Sequence, residues 1–240
     1  KEIVKIYKHS EVAIEANLRI GILYYYYSNN PEEAKTYFSI ISNDYPMSKF
    51  ASLALIELGN ISVRNAKLDE AEKYFQSVLS TPRVNAEDRN FTNYRLAKIY
   101  SYKNDFETAR QKLSTVMGNL KDNIANDAIQ FSILLNTAKN DSSNLSLYCS
   151  AEFLTEQQRF SEAKELYLQL SQNPQAFVFS SISKLRSAEM LIAESDYSGA
   201  ISALAIIVDE AEKNIYADKA LYLQGKIYQY GLKDNLKAVE

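Results

Sequence analysis

Apolar positions along this chain fall at helical spacing and are interrupted at regular intervals by short polar stretches. Ile124, Ala128, Phe131, Leu134, Leu135 and Ala138 form one such stripe, mostly three or four residues apart, which places them on a single helix face. The interruptions have the chemistry of helix starts. Asn29-Asn30-Pro31-Glu32-Glu33 offers Asn30 as a capping side chain, a proline for the first helical position and two carboxylates for the positive end of the helix dipole. Lys67-Leu68-Asp69-Glu70, Asn104-Asp105-Phe106-Glu107, Arg159-Phe160-Ser161-Glu162 and Ser195-Asp196-Tyr197-Ser198 repeat the theme. Pro46, Pro82 and Pro174 mark helix ends, because proline cannot continue a helix. The pattern predicts an all-α chain.

Small residues recur in step with these starts. Gly59 and Ala71, Ala97 and Ala109, Ala151 and Ala163, and Ala188 and Ala200 are each twelve residues apart, and Gly21 and Ala34 are thirteen apart. Ala34, Ala71 and Ala109 stand 37 and 38 residues apart, and Ala163, Ala200 and Ala238 repeat both intervals. Each interval fits two helices plus short turns. The first small residue then lies midway along a first helix and the second lies early in a second, where small side chains let the two backbones approach. A fixed period of this kind is the signature of a helical solenoid, whose units bury their apolar faces by stacking on neighbours.

One interval departs from the rule, because Ala109 and Ala163 are 54 residues apart. The surplus falls at residues 124–146 and reads as a degenerate unit: one helix carrying the Ile124 to Ala138 stripe, then the polar break 139–144, with the second helix lost. The predicted organisation is an N-terminal arm over 1–123, the degenerate helix and linker over 124–146, and a C-terminal arm over 147–240. Glu2 to Lys8 looks like the tail of a preceding second helix and Glu240 falls just inside a new one, so a portion of a longer repeat protein is expected.

Composition narrows the function. The chain has 240 residues, 46% of them hydrophobic, enough for a continuous core, and its six glycines and four prolines leave little for a turn-rich β fold. A net charge of −3 provides no broad basic field, which argues against nucleic acid or an acidic membrane as the main ligand. No apolar run reaches the roughly 18 residues needed to span a bilayer. Cys149 is the single cysteine and is read as a small hydrophobe packed in the core or the groove. His9 is the single histidine, which removes paired-histidine metal sites and makes Ser-His or Cys-His catalysis unfavoured. With no phosphate loop, dinucleotide fingerprint or paired-cysteine motif either, no catalytic residue, metal or cofactor is assigned.

Several units share a finer pattern. Leu58-Gly59 goes with Ala71, Phe75 and Pro82; Leu96-Ala97-Tyr100 goes with Ala109 and Leu113; Ile20-Gly21-Tyr24 goes with Ala34, Phe38 and Pro46. Gly225 and Tyr228 open a last unit that reaches Ala238, and Leu191, Ala200 and Leu204 keep a looser copy. On these residues the chain resembles the tetratricopeptide repeat family, although the tryptophan common early in that unit is absent. The resemblance implies a right-handed α-α superhelix of antiparallel helix pairs, a non-enzymatic role, and a concave groove, lined by the first helices, that binds a protein or peptide partner. Residues 43–51 and 215–220 are also similar to joints in bacterial envelope repeat proteins, including outer-membrane assembly lipoproteins and Tol-Pal-associated proteins, which implies a periplasmic or outer-membrane-associated scaffold.

Carrying the family's groove positions onto this chain selects Leu18, Tyr25 and Tyr26, then Ile56, Asn60 and Arg64, then Tyr94, Lys98 and Tyr102, with Arg95 beside them. Beyond the long interval come Tyr148, Glu152 and Glu156, then Leu185, Glu189 and Ile192, then Tyr222, Lys226 and Tyr230. Eighteen tyrosines supply contact area with a polar tip, which suits a protein-binding surface; Tyr24, Tyr100 and Tyr228 sit at packing positions instead. Arg64, Arg95 and Lys98 make the first arm suited to acidic segments, and Glu152, Glu156 and Glu189 make the second suited to basic or neutral ones. Ile56 stands where the family's clamp for chaperone tails uses lysine, so that ligand is disfavoured. A scaffold for protein-protein interaction is the leading expectation. A structural subunit packed into a larger assembly through its ends and convex face, or the regulatory part of a longer enzyme or sensor, are the alternatives.

Overall fold

The computed structural model describes residues 10–81, 84–118, 123–212 and 214–239. The helix tail expected at Glu2 to Lys8 lies outside the described residues, as do His9, Pro82 and Glu240. Described residues form α1 (Glu11–Ile22), α2 (Pro31–Asp44), α3 (Ala51–Arg64), α4 (Leu68–Leu79), α5 (Ala86–Tyr102), α6 (Phe106–Met117), α7 (Ala125–Thr137), α8 (Ser142–Glu156), α9 (Phe160–Gln172), α10 (Phe177–Ala193), α11 (Tyr197–Asp209) and α12 (Ala217–Lys226), with no strand among them. Two compact units divide between Ser132 and Ile133, inside α7. In the first, the helices from α1 to α6 pack successively, each of α1 to α5 on the one after it; in the second, each of α8 to α11 packs on the one after it.

One turn joins the helices of every pair. Asn29, Ala66, Asn104, Gln158, Ser195 and Lys233 adopt φ values of 49, 59, 63, 61, 62 and 58°, a left-handed conformation that costs a side-chain-bearing residue about 1–2 kcal/mol. Each stands five residues before one of the alanines at 34, 71, 109, 163, 200 and 238, so turn and anchor share a register. The following residue donates its N–H back into the first helix: Lys67 to the Ser62 carbonyl at 2.8 Å, Asp105 to Tyr100 at 2.8 Å, Arg159 to Leu154 at 3.0 Å and Asp196 to Leu191 at 2.9 Å. These bonds satisfy carbonyls that a helix end leaves without partners. The next helix is capped where the sequence indicates: Asn30, Asp105 and Asp196 accept the backbone N–H of Glu33, Thr108 and Gly199.

In the first and last pairs the closing bond reaches one residue further, from Asn30 to Tyr24 and from Asp234 to Tyr228, both at 2.8 Å. The reason is a π turn at the end of each first helix, Leu23–Tyr27 after α1 and Ile227–Gly231 after α12. The inserted residue accounts for the thirteen-residue spacing of Gly21 and Ala34, and Gly225 and Ala238 share it.

The surplus of the 54-residue interval contains α7. Its successor starts earlier than the polar run 139–144 suggests. The Asp141 carboxylate accepts the Asn144 backbone N–H at 3.3 Å and its side-chain amide at 3.0 and 2.9 Å, so Ser142 to Asn144 are the capped first turn of α8 and not part of a break.

Packing around the anchors differs from simple backbone approach. A Cβ on Gly21 would lie 2.5 Å from the Phe38 ring, and one on Gly59 would lie 2.7 Å from the Phe75 ring. Both rings are fully buried. Each glycine is therefore a slot for the aromatic residue four positions beyond the anchor alanine. Around the first slot, Ile14, Leu18, Phe38, Ile41, Leu58 and Ile61 close a core; in the second unit Leu185, Ala188, Leu204, Ile207 and Ile227 do so. Cys149 is buried as expected. Ion pairs such as Lys35 with Glu70 at 3.0 Å and Lys103 with Glu72 at 2.7 Å link neighbouring pairs, but partly exposed pairs contribute about 0–1 kcal/mol each, so apolar packing holds the stack.

Candidate functional site

In the first unit the groove candidates converge on a residue the sequence reading omits. The Glu57 carboxylate accepts the Tyr26 hydroxyl at 3.0 Å on Oε2 and 3.2 Å on Oε1, and the Asn60 amide at 3.3 Å. Burial pushes the Glu57 pKa up; the bonds from Asn60 and Tyr26 and the Arg95 charge pull it down only in part. The Tyr26 phenol is raised as well, first by burial and then by Glu57, which keeps it a donor. Tyr25 meets Tyr26 edge-on at 4.8 Å. The Arg64 guanidinium sits 5.7 Å from the Tyr25 ring centre and donates to Asn29 Oδ1 at 2.5 Å.

Helical geometry explains the assembly. Glu57, Asn60 and Arg64 stand at i, i+3 and i+7 on α3, and Arg95, Lys98 and Tyr102 repeat that spacing on α5, so each trio shares a face. The π turn after α1 adds Tyr25 and Tyr26. Two aromatic rings, a carboxylate biased toward its neutral form and two guanidinium groups thus come from three successive first helices. Lys98 is enclosed: its ammonium lies 4.4 Å from the Phe131 ring and 5.7 Å from that of Tyr102, and the residue is 7% exposed. Tyr94 is half-buried on α5.

The second unit gathers its candidates around another omitted residue, Arg186 on α10. Its guanidinium lies 2.7 Å from Glu189 and 3.4 Å from Glu152, while Lys219 reaches Glu189 at 2.9 Å. Burial opposes the charge on Arg186, yet Tyr148, Glu189 and Tyr167 hold its pKa well above the ordinary value. Burial likewise opposes ionisation of Glu189, and the Arg186 charge with the Lys219 bond outweighs it, leaving the pKa low. Two cations and two anions here neutralise one another.

Tyr148 is a core residue. It is 3% exposed, packs against Tyr167 at 5.9 Å and Phe179 at 5.4 Å, and donates to Glu152 at 3.2 Å. Glu152 is buried beside it, and Leu18, Ile56 and Leu185, projected as groove lining, are buried too. The position three before the first anchor points between helices at Leu18, Ile56, Tyr148 and Leu185, whereas the position two before carries the partly exposed Glu57, Arg95 and Arg186 and, before Ala151, the buried Cys149. That register was present in the spacing, since Arg95 already marked it. Glu156 and Ile192 are half-buried, and Tyr222, Lys226 and Tyr230 are exposed on α12 and its π turn, with the Lys226 ammonium 5.5 Å from the Tyr222 ring.

Among the described residues no group of three or more His, Cys, Asp and Glu could hold a metal ion, and no helix is long and apolar enough to cross a membrane. A tetratricopeptide repeat family model matches residues 15–48, which span most of α1, its π turn, α2 and the turn that follows. No curated protein matches the chain. The match is to the repeat itself and lends no support to the resemblance to envelope repeat proteins.

Proposed function

We propose that the chain is a protein-interaction scaffold and that its first unit holds an acidic peptide segment across α1, α3 and α5. The observation that carries this reading is the convergence of Tyr26, Asn60 and Arg95 on Glu57 from three successive helix pairs, with Tyr25 against Tyr26 and Arg64 over the Tyr25 ring. An extended segment lying across these helices would meet aromatic faces with polar tips, which bind at low entropic cost. It would also meet two guanidinium groups, whose planar forks fit carboxylates. Burial pushes the Glu57 pKa up, and Arg64 and Arg95 bring two positive charges to this face of a chain whose net charge is −3. The second unit lacks this excess, because Arg186 and Lys219 are matched by Glu152 and Glu189.

Selection from a random peptide library tests the reading. Peptides rich in Asp and Glu are expected to be enriched on the parent, with affinity falling at least tenfold in the Arg64→Ala, Arg95→Ala double variant and with rising salt. Enrichment of basic or uncharged peptides, or equal affinity for a folded double variant, would overturn it.

A further inference from the structure

The two oxygens of the Glu57 carboxyl are held differently. Oε2 accepts the Tyr26 hydroxyl at 3.0 Å and the Asn60 amide at 3.3 Å, and Oε1 meets that same hydroxyl at 3.2 Å. A proton placed on Oε1 therefore leaves both bonds on Oε2 in place and turns Oε1 from an acceptor into a donor. Around this carboxyl, α5 brings the positive charge of Arg95, and α1 with its π turn brings Tyr25 and Tyr26. On α3 itself, Arg64 is engaged with Asn29 and the Tyr25 ring. The charged groups of α2 and α4 beside α3 pair among themselves, Glu70 with Lys35 and Tyr74, and Lys98 on α5 is enclosed by Phe131 and Tyr102.

An incoming carboxylate meets competition here. A ligand carboxylate that engages Arg95 shares one guanidinium with Glu57, and two carboxylates at one site ionise together only at a cost. Burial already disfavours the charge on Glu57 and raises its pKa. The ligand's acid, about 3.9 for an ordinary aspartate, stays ionised, and the buried one takes the proton. We propose that an acidic segment binds this site together with one proton from solvent, taken up on Glu57 Oε1, which then donates to the ligand carboxylate. The proposal rests on the acidic-segment reading above and adds a specificity to it, because Glu57 sets the pH at which acidic ligands are accepted. Binding that takes up a proton strengthens as pH falls through the interval between the free and the ligand-bound pKa of Glu57, and weakens as pH rises through it.

Isothermal titration calorimetry of the full chain with a peptide of alternating aspartate and glycine tests this. Affinity is expected to fall roughly fivefold or more from pH 5.5 to pH 7.5. Titrations at pH 7 in phosphate and in imidazole, whose ionisation enthalpies differ, should show net proton uptake on binding. In Glu57→Gln, shown to be folded by circular dichroism, the proton uptake and the greater part of the pH dependence should vanish, and affinity at pH 7.5 should exceed that of the parent. Binding that needs Arg64 and Arg95 but is flat in pH, or proton uptake that survives in Glu57→Gln, would overturn the proposal and leave the acidic-segment reading in place. Absence of binding at both pH values, or equal binding to a folded Arg64→Ala, Arg95→Ala double variant, would overturn that reading and the proposal with it.

Discussion

Glu57 shows how one side chain governs a surface. Its carboxyl holds a proton more tightly in the native state than in the unfolded chain, where its pKa is about 4.3, because burial outweighs the help of Asn60, Tyr26 and Arg95. For an acid shifted upward, the native state binds more protons between the two pKa values, so stability falls as pH rises from the unfolded value through the native one. Replacing the group with a neutral amide is therefore expected to stabilise the protein at pH 7 and to flatten that descending limb. Below about pH 4 the parent is itself protonated, and the difference should close. Urea unfolding of Glu57→Gln against the parent from pH 3.5 to 8 checks this. A less stable variant at pH 7 would mean that the ionised form gains more from Tyr26 and Arg95 than it loses by burial. Asn60, Arg64 and Arg95 were legible in the sequence because they follow the anchor spacing. Glu57 was not, because the positions carried over from the family begin three residues before the anchor, where the side chain is core.

At the scale of elements, the anchor spacing made the helix pairs legible, and the capping residues placed the starts of α2, α6 and α11. What spacing could not show was the geometry of the joint. An inserted residue reads as an irregular interval in sequence and becomes a π turn only when the hydrogen bond from Asn30 to Tyr24 is seen. The left-handed residue was hidden for another reason: glycine normally announces that conformation, and none of the six positions carries it. Ala66, at φ 59°, bears a Cβ penalty without the local hydrogen bonding that lets asparagine tolerate the same geometry. Ala66→Gly is expected to stabilise the protein by about 0.5–1 kcal/mol, raising Tm by about 1–4 °C. Asn104→Gly, at φ 63°, should yield less than half of that. Paired thermal melts decide the matter, and equal shifts at the two sites would show that the Cβ penalty is not what distinguishes them.

For the molecule as a whole, the period announced a stack, and a stack has a consequence that a globular core does not share. Each helix pair touches chiefly its neighbours, so stability is close to a sum of unit and interface contributions, and opening can be local. The chain divides into two compact units inside α7, the helix that the long interval reads as a degenerate unit over 124–146. Phe38 offers the test, because its ring fills the Gly21 slot and packs in a core drawn from α1, α2 and α3. Phe38→Ala removes a fully buried ring and is expected to cost about 3–5 kcal/mol. In a stack that cost is charged to one place: amides of α1 and α2 should lose hydrogen-exchange protection, while those of α10 and α11, whose core is built on Leu185, Leu204 and Ile207, keep theirs. Equal loss across both sets would mean that unfolding is cooperative over the whole chain and that the nearest-neighbour picture fails. A local response would have a functional corollary, since Tyr25 and Tyr26 belong to the opened pair and Arg95 does not: the aromatic half of the Glu57 site would be disordered while its basic half stayed in place.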